Sequence, residues 1–411
     1  MDTYDILIVG GGAAGLMAAG TALSRGLSVC LFDKNRQLGR KVRITGKGRC
    51  NVTNQCPVEE VVAACPRGGR FLYGALSAFS PQDTIDFFEG LGVPLKTERG
   101  RRVFPVSDNA HDIADALERY AAGATVVRET VTEVLTEQGA ATGVKTAAGV
   151  YRGRAVLLAC GGASYPGTGS NGDGYKLAAA LGHTIVAPTP SLVPLVERGT
   201  WCRELMGLSL RNVGVKVTQK GKKKPVYQDF GELLFTHFGL SGPTILSASA
   251  HLRPMEPGKY TVHMDLKPAL TDQQLDARLL RDLEAHKNKI FANSLEELLP
   301  QKLIPVVVKR SGIPGETRCH SVTKEQRRAL LALLRDFSVE VEGFRPLAEA
   351  IVTSGGVSLK ELSPQTMESK LVKGLYVAGE MIDADAYTGG YNLKIAFGTG
   401  RVAGRNGPGK K

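Results

Sequence analysis

The sequence has few aromatic residues, and its cysteines form no recognisable disulfide or metal-binding motif. It has one Trp and 6% aromatic residues, and its seven cysteines form no Cys-x-x-Cys pair and lie near no His pair at metal-ligand spacing. We therefore expect no disulfide framework and no metal site. No apolar run approaches the roughly 18 residues of a transmembrane helix, and residues 1–5 lack a basic leader segment. We expect a cytoplasmic protein without a membrane partner.

The charge balance is basic. Lys and Arg number 52 against 40 Asp and Glu, a formal net charge of +12. A positive field attracts anions of any kind, so the charge alone names no partner. The densest run, Lys220–Lys224, lies between two strand-like stretches and is interpreted as a solvated hairpin tip. With so few aromatic residues, nucleic acid is an unlikely partner compared with a small molecule.

Size and glycine content indicate a multi-domain nucleotide-binding protein. A chain of 411 residues is long enough for two or three compact units. Its 49 glycines exceed the usual share of roughly 7%, which indicates many sharp turns or close approaches to a ligand. Oligomeric state is not readable from these features.

The N-terminal segment carries a dinucleotide-binding pattern. An apolar strand, Tyr4–Val9, is followed by Gly10-x-Gly12-x-x-Gly15, a small-residue helix at Ala13–Ser24, and a second strand at Ser28–Phe32. In this context the glycines let the backbone approach a pyrophosphate at the positive end of a helix. Asp33 ends the second strand, where a carboxylate can bind an adenosine ribose. The sequence predicts a doubly wound sheet with a bound dinucleotide.

The C-terminal segment favours FAD over NAD. Gly374–Glu380 reads as a strand that delivers an acidic residue, and Gly389-Gly390 precedes a last helix. The N-terminus of that helix would stabilise the negative charge of a reduced flavin. An NAD domain has no need for this second cradle. We predict one non-covalently bound FAD.

A middle region differs from both ends. Strand patterns at Asn212–Gln219 and Tyr260–Asp265 predict a β-rich unit, and leucines at every fourth position from Leu275 predict a helix. Ser241 is predicted to cap a helix that begins at Pro243. Three capping boxes, which mark helix starts, are predicted at Thr271-x-x-Gln274, Ser294-x-x-Glu297 and Thr323-x-x-Gln326.

Further motifs resemble one known family. They are Gly39-Arg40-Lys41, Thr45–Asn54 (TGKGRCNVTN), Gly231–His237 (GELLFTH) with Ser241-Gly242-Pro243, Thr353–Val357 (TSGGV) and Gly379–Asn392 (GEMIDADAYTGGYN). With the N-terminal glycines, they resemble the bacterial flavoproteins known as aminoacetone-oxidase-family or NAD(P)/FAD-dependent oxidoreductases, a group that includes a 3-dehydro-bile acid delta(4,6)-reductase. This chain has Lys47, Asp33 and Lys394 where the family usually has Gly, Glu and Gln, which leaves substrate preference open.

The resemblance implies an α/β fold. It implies a glutathione-reductase-like, FAD-binding Rossmann domain interrupted by a β-barrel-like domain and a small helical domain. We place the discontinuous FAD-binding domain at 1–190 and 350–411, the β-rich substrate domain at 191–268 and 338–349, and the helical insertion at 269–337.

The predicted cofactor-binding residues come from the fingerprint and from the resemblance. The fingerprint supplies the glycine loop and the ribose-binding end of the second strand: Gly10, Gly12, Ala14, Gly15, Asp33 and Lys34. The resemblance implies phosphate or ribityl contacts, a backbone contact to adenine and contacts at the flavin edge: Arg40, Lys41, Val131, Gly379, Glu380, Asp383, Asn392 and Leu393.

Three residues are candidates for chemistry. His237 and Tyr391 are proton donors on the substrate side, although His237 could equally hold its turn by a hydrogen bond. Cys50 lies beside Arg49 and Lys47, which favour a thiolate. A disulfide-exchanging flavoenzyme needs a close partner cysteine, so a structural role for Cys50 is preferred.

Three reactions remain open. The first is NAD(P)H-driven reduction of an activated C=C bond in a small hydrophobic substrate, such as a 3-oxo bile acid or steroid-like enone. No second Gly-x-Gly-x-x-Gly unit follows a strand between Arg152 and Gly374, so NAD(P)H would have to enter the substrate cavity. The second is an oxidase of a small amine or amino ketone that yields hydrogen peroxide, and the third, more remote, is an RNA-associated flavoprotein.

Overall fold

A computed structural model describes residues 3–409. The strands are β1 Thr3–Tyr4, β2 Ile6–Val9, β3 Val29–Phe32, β4 Thr53–Asn54, β5 Leu95–Glu98, β6 Arg102–Pro105, β7 Thr125–Val127, β8 Glu133–Glu137, β9 Ala140–Lys145, β10 Val150–Gly153, β11 Val156–Leu158, β12 Ile185–Ser191, β13 Leu195–Glu197, β14 Ser209–Gln219, β15 Tyr227–Phe235, β16 Gly239–Ser241, β17 Tyr260–Asp265, β18 Phe337–Phe344, β19 Val352–Val357 and β20 Leu375–Val377.

The α-helices follow the same order along the chain. They are α1 Ala13–Ser24, α2 Arg40–Ile44, α3 Val58–Ala63, α4 Gly69–Ala78, α5 Pro81–Gly90, α6 Ala110–Tyr120, α7 Asp173–Ala180, α8 Pro243–Ser249, α9 Asp272–Ala285, α10 Ile304–Ser311, α11 Lys324–Arg335 and α12 Tyr391–Asn406. Between residues 3 and 409, no helix combines the length and apolarity needed to cross a membrane.

The chain divides into two compact units. The first contains the residues up to Ser191 and those from Pro346 onward, and the second contains Leu192–Arg345. The α/β class and the interruption of a Rossmann-type unit by a barrel are confirmed. A further division of the second unit into barrel and helical domains stays a prediction.

A five-stranded parallel sheet organises the first unit. Its strand order is β20-β11-β2-β3-β7, with Ile8 of β2 aligned between Leu157 of β11 and Leu31 of β3. The residues of β2, β3, β11 and β20 are buried, as expected for a sheet covered on both faces. Because all five strands run parallel, the loops that follow their carboxyl ends meet at one edge.

Two glycines bring the first and last helices of this unit together. A Cβ on Gly400 would lie 2.3 Å from the carbonyl oxygen of Ala14, and a Cβ on Gly404 would lie 2.5 Å from that of Ala18. No side chain fits there, so the two helix backbones touch. Since residue numbers increase in the same direction along both helices, α1 and α12 run parallel.

The second unit is built on a closed barrel with the strand order β13-β16-β15-β14-β17-β18. Its interior and the helices α9, α10 and α11 share one apolar core. Leu275, Leu279 and Leu283 are the buried face of α9, as their four-residue spacing predicted. The capping boxes at Thr271 and Thr323 are confirmed.

Two helix-start predictions are wrong. Ser294 ends a short 3₁₀ turn, and its hydroxyl donates to the carbonyl oxygen of Phe291 instead of capping a helix. Ser241 belongs to β16 and pairs with Leu234, so Gly242 occupies the cap position before Pro243. Ser294 therefore makes a local bond to the backbone instead of capping a helix, and the strand pairing of Ser241 places it before the cap position.

Candidate cofactor and active site

The glycine loop lies at the carboxyl edge of the sheet, between β2 and α1. Gly10 has a positive φ of 108°, and a Cβ on Gly15 would lie 1.8 Å from the Gly10 carbonyl oxygen. Only glycine permits this turn and the close packing of α1 on it. At Gly12, by contrast, apart from Gly12 itself and its two chain neighbours, no atom of the described residues lies within 4 Å of where a Cβ would stand. The loop is thus tightly packed at Gly10 and Gly15 and open at Gly12.

Asp33 holds the glycine loop from the end of β3. Its Oδ2 accepts a hydrogen bond of 2.8 Å from the backbone N–H of Gly11. Its Oδ1 accepts from the backbone N–H of Asn35 at 2.7 Å. The carboxylate predicted for ribose binding is therefore bonded to the backbone of the glycine loop.

Glu380 follows β20 and is the centre of a second network at the same edge. Its Oε1 accepts from the Thr353 backbone N–H at 2.8 Å and from the Ser164 hydroxyl at 2.9 Å. Its Oε2 lies 2.7 Å from Nζ of Lys41, which also donates to the Ser164 hydroxyl at 2.7 Å. Two residues predicted separately as cofactor ligands are thus bonded to each other.

Two helix N-termini face the same direction in this unit. Neither Gly12 before α1 nor Gly390 before α12 provides a side-chain cap. Because Gly400 lies beside Ala14, the start of α12 extends beyond that of α1 by eight residues, or about 12 Å. The first N–H groups of a helix have no intrahelical partner and attract negative charge. The unit offers two such positive ends in a staggered arrangement.

Buried polar atoms without a partner lie beside the second of these ends. Thr53 and Asn54 form β4 and are 0% and 3% exposed, yet Thr53 Oγ1 and Asn54 Oδ1 have no hydrogen-bond partner among the described residues. A Cβ on Gly390 would lie 2.5 Å from the Thr53 carbonyl, and Asn54 Nδ2 donates to the Gly389 carbonyl at 3.3 Å. Buried polar groups are normally paired, so these two atoms would accept a hydrogen bond from a polar ligand or a water molecule.

The open glycine loop, the two staggered helix ends and these unpaired atoms fit an elongated dinucleotide. A pyrophosphate suits the loop at α1, and a group that develops negative charge suits the start of α12. The sequence patterns predict no role for Thr53, Asn54, Ser164 or Thr353. Thr53, Asn54 and Thr353 belong to the motifs that resemble the flavoprotein family, but only the folded chain shows what these residues contact.

The remaining predicted ligands occupy varied positions. Arg40 is exposed and donates to Asn35 Oδ1 at 3.3 Å, whereas Val131 is buried. Lys34 pairs with Asp173 at 2.8 Å, and Asp383 pairs with Arg67 at 2.9 Å. A ligand that binds Lys34 or Asp383 would have to replace these two ion pairs.

The side chain of Asn392 holds the loop before α12. Its Nδ2 donates to the carbonyl oxygens of Ala386 and Tyr387, and its Oδ1 accepts from the Ala386 N–H. Leu393 is partly buried against the core of the first unit. The groups of these two residues that remain available to a ligand are therefore their backbone N–H groups.

Tyr391 begins α12 and is half-buried. Burial raises the pKa of its phenol to about 12, and the neighbouring Cys56 thiol adds to the shift. The guanidinium of Arg101, which forms an ion pair with Glu60, acts in the opposite direction. Tyr391 is consequently a protonated donor at neutral pH with a cation close by.

The other candidates for chemistry are placed differently. His237 lies exposed in the turn between β15 and β16 of the second unit. Cys50 is fully buried, and burial raises the pKa of its thiol to about 12. A buried thiol with a raised pKa is a poor nucleophile. All seven cysteines are free, and within residues 3–409 no cluster of three or more His, Cys, Asp or Glu side chains could hold a metal ion.

Comparisons with known proteins cover nearly the whole chain. The family described as "HI0933-like protein Rossmann domain" matches residues 4–406. A 3-dehydro-bile acid delta(4,6)-reductase of Clostridium scindens is 32% identical over 406 residues, 97% of each chain. A ribosomal RNA dihydrouridine synthase of Escherichia coli is 32% identical over 399 residues, 97% of this chain and 96% of that one.

A solved structure shares the fold. The 3-ketosteroid-delta4-(5alpha)-dehydrogenase of Rhodococcus jostii aligns with a TM-score of 0.50 and 14% identity, covering 100% of this chain and 97% of that one. At this level of identity the likeness concerns the fold alone.

Proposed function

Because the chain belongs to the HI0933-like Rossmann family and is an FAD-dependent oxidoreductase, we propose that it reduces a C=C bond conjugated to a carbonyl, with NAD(P)H as the electron donor. The two full-length relatives support this reaction class. One is named for reducing a 3-dehydro-bile acid and the other for making dihydrouridine in ribosomal RNA. An enone of a steroid and the uracil ring both contain a C=C bond conjugated to a carbonyl.

The structural observation that supports the cofactor part of the proposal is the pair of parallel, staggered helix ends in the first unit. The loop of Gly10, Gly12 and Gly15, with Ala14 at the start of α1, would hold the pyrophosphate, and Asp33 the adenosine ribose. The backbone N–H groups of Asn392 and Leu393 would face the flavin carbonyls. When bound, FAD would accept a hydride from NAD(P)H and deliver it to the β carbon of the substrate.

Charged residues around the loop would complete the cofactor site. Lys41 and Glu380, which already contact each other, would bind the ribityl and pyrophosphate region together with Gly379. Exposed Arg40 is free to turn toward a phosphate, as a guanidinium suits that group. We also propose that Val131 contacts the adenine through its backbone. Lys34 and Asp383 are proposed as further FAD-binding residues.

Tyr391 is the proposed acid. Addition of a hydride at the β carbon moves the π electrons into an enolate, and the phenol of Tyr391 then protonates the α carbon. The guanidinium of Arg101 would stabilise the tyrosinate until water restores its proton. We assign no proton transfer to His237, which is exposed in the turn between β15 and β16.

The test is anaerobic mixing of the purified FAD-loaded protein with NADH or NADPH, followed by a 3-oxo-4-ene steroid. Bleaching of the oxidised flavin band by a nicotinamide nucleotide, and its return on addition of the steroid, would support the proposal. No bleaching by either nucleotide, with hydrogen peroxide formed from aminoacetone in air, would establish the oxidase instead.

A second candidate substrate is uracil in ribosomal RNA. The net charge of +12, which attracts anions of any kind, suits a polyanionic RNA. Incubation of the reduced protein with ribosomal RNA, then nucleoside mass spectrometry, would detect dihydrouridine as uridine with two added hydrogens. Absence of dihydrouridine, with turnover of the steroid, would exclude this candidate.

A further inference from the structure

The lysine run of the second unit stands free at a hairpin tip. Lys220 and Lys222–Lys224 connect β14 to β15, and all four side chains are exposed. Within the described residues none of the four forms an ion pair with a carboxylate. Four uncompensated ammonium groups within five residues form a local concentration of positive charge.

An exposed aromatic ring lies on the same hairpin. Phe230 is 58% exposed, and its partner across the ladder is Gly214, which has no side chain to cover the ring. Lys216 pairs with Gln228 two residues nearer the tip, so Lys216 and Phe230 lie on the same face of the sheet. The neighbouring Val215 and Val217 are buried in the barrel, which makes this face the outer one.

Together these residues form a stripe along one hairpin, here called the basic stripe: Phe230, Lys216, Lys220, Lys222, Lys223 and Lys224. From Gly214 to Lys220 it extends about 20 Å, at the usual rise per strand residue. The carboxylate beside Gly214 on this face, Asp265, is neutralised by Arg335 at 2.9 Å. Glu232 is exposed on the same face two residues from Phe230, but the five lysines outnumber it, so the stripe keeps a net positive charge.

We propose that the basic stripe binds single-stranded RNA, with the lysines on phosphates and a base stacked on Phe230. A flat ring beside a track of cations is the combination that single-stranded nucleic acids recognise, because every base has a face that can stack. A duplex, whose bases are already stacked, could use only the lysines. The inference deepens the second candidate substrate and rests on it, since a uracil within RNA would need such a docking surface.

The experiment measures binding of a fluorescein-labelled 20-nucleotide RNA without secondary structure to the FAD-loaded protein by fluorescence anisotropy. The first variant replaces Lys222, Lys223 and Lys224 by Ala. The matched control replaces three other exposed cations of the same unit, Lys289, Lys324 and Arg328, by Ala, so that both proteins lose the same charge.

We expect the hairpin variant to bind at least tenfold more weakly than the control variant. Its plot of log affinity against log salt should be flatter by up to about 2 units, since each phosphate contact on a single strand contributes roughly 0.7. Phe230→Ala should weaken binding roughly five- to hundredfold and leave the salt slope unchanged, because it removes stacking and no charge. Unchanged FAD content and circular dichroism would confirm that the variants fold.

Equal affinity of the two triple variants would overturn the proposal, as would a Phe230→Ala protein that binds like the wild type. These results are separable from the proposed reaction. The hairpin variants should reduce a 3-oxo-4-ene steroid at the wild-type rate if the steroid is a substrate at all. A hairpin variant that loses RNA binding but is still reduced by NAD(P)H would support RNA binding by the basic stripe and would not test the proposed reaction.

Discussion

Nζ of Lys41 lies 2.7 Å from Oε2 of Glu380, although 339 residues separate them in sequence. The contact joins α2 to the turn after β20. Both side chains are about one-fifth to one-quarter exposed, so the pair is partly screened by solvent. Its significance is that it connects two parts of the first unit that are far apart in sequence.

Glu380→Ala should lower FAD occupancy. The substitution removes the shared acceptor of the Thr353 N–H, the Ser164 hydroxyl and Lys41, and a buried donor left unpaired, such as the Thr353 N–H, costs about 1–3 kcal/mol. We expect the dissociation constant for FAD, measured by flavin fluorescence, to rise at least tenfold. Glu89→Ala, on an exposed position of α5, is the control and should bind FAD normally.

Asp33→Ala should also weaken FAD binding, because the Gly11 N–H and the Asn35 N–H both lose their acceptor and the glycine loop is released. Asp33→Asn keeps one acceptor oxygen and should lose less affinity than Asp33→Ala. Calorimetric titration of the apoprotein with FAD would order the three proteins. An Asp33→Ala protein as tight as the wild type would contradict the assigned role.

Sequence patterns predicted correctly those elements that are determined by residues close together in the chain. The strand, glycine loop and helix at 6–24 are specified by neighbouring residues, and α1 begins and ends at the predicted Ala13 and Ser24. The lysine run lies at a hairpin tip, as interpreted. Ser241 was misassigned because its pairing with Leu234 in the barrel is a tertiary contact that no local pattern contains.

The site was predictable in its residue types and not in its contacts. Asp33 and Glu380 stand at strand ends, which a pattern of strands and turns indicates. The bond between Lys41 and Glu380 depends on the order of strands in the sheet, and the unpaired atoms of Thr53 and Asn54 depend on the packing of β4 against Gly390. Neither property is expressed in the spacing of residues along the chain.

Tyr391→Phe should separate the two halves of the reaction. Flavin reduction by NAD(P)H should keep its rate, whereas turnover with the enone should fall roughly 10²–10⁴-fold, the usual contribution of a general acid. Because burial holds the phenol pKa at about 12, the acid stays protonated across the working range, and its ionisation should not lower the rate below about pH 10. His237→Gln is the matched control and should turn over normally.

A Tyr391→Phe protein that turns over the enone at the wild-type rate would contradict the role of this phenol as the acid. A wild-type rate that falls near pH 7, and no longer falls in Tyr391→Phe, would contradict only the raised pKa. It would show a phenol that ionises far more readily than its burial allows. Anaerobic single-turnover measurements at several pH values would distinguish the two cases.

Cys50→Ser should retain both FAD and turnover, since the buried thiol has a raised pKa and carries little thiolate at neutral pH. The native protein should also resist alkylation of Cys50 by iodoacetamide at pH 8, as judged by peptide mass spectrometry. A Cys50→Ser protein that binds FAD but has lost all turnover would instead assign a redox role to this thiol.

Lys394 provides a test of how burial affects the pH dependence of stability. Its side chain is fully buried beside the Phe79 ring, 4.1 Å from the ring centre, and burial lowers its pKa well below the ordinary value. The unfolded chain binds this proton more tightly than the folded chain does. Unfolding therefore takes up a proton at pH values between the two pKa values, and the free energy of unfolding rises with pH there.

Lys394→Met should remove this dependence. Asp83 and Arg401 are the charged groups that act on Lys394 besides its burial, and both remain in the variant. We expect the stability of the wild type, relative to Lys394→Met, to increase as the pH rises from 7 toward 10, measured by urea unfolding. Lys176→Met, at a side chain that is 82% exposed, should show no such trend. If the free energies of unfolding of the wild type and Lys394→Met change with pH in parallel, the buried amine keeps its ordinary pKa. That result would contradict the expectation that burial makes Lys394 lose its proton.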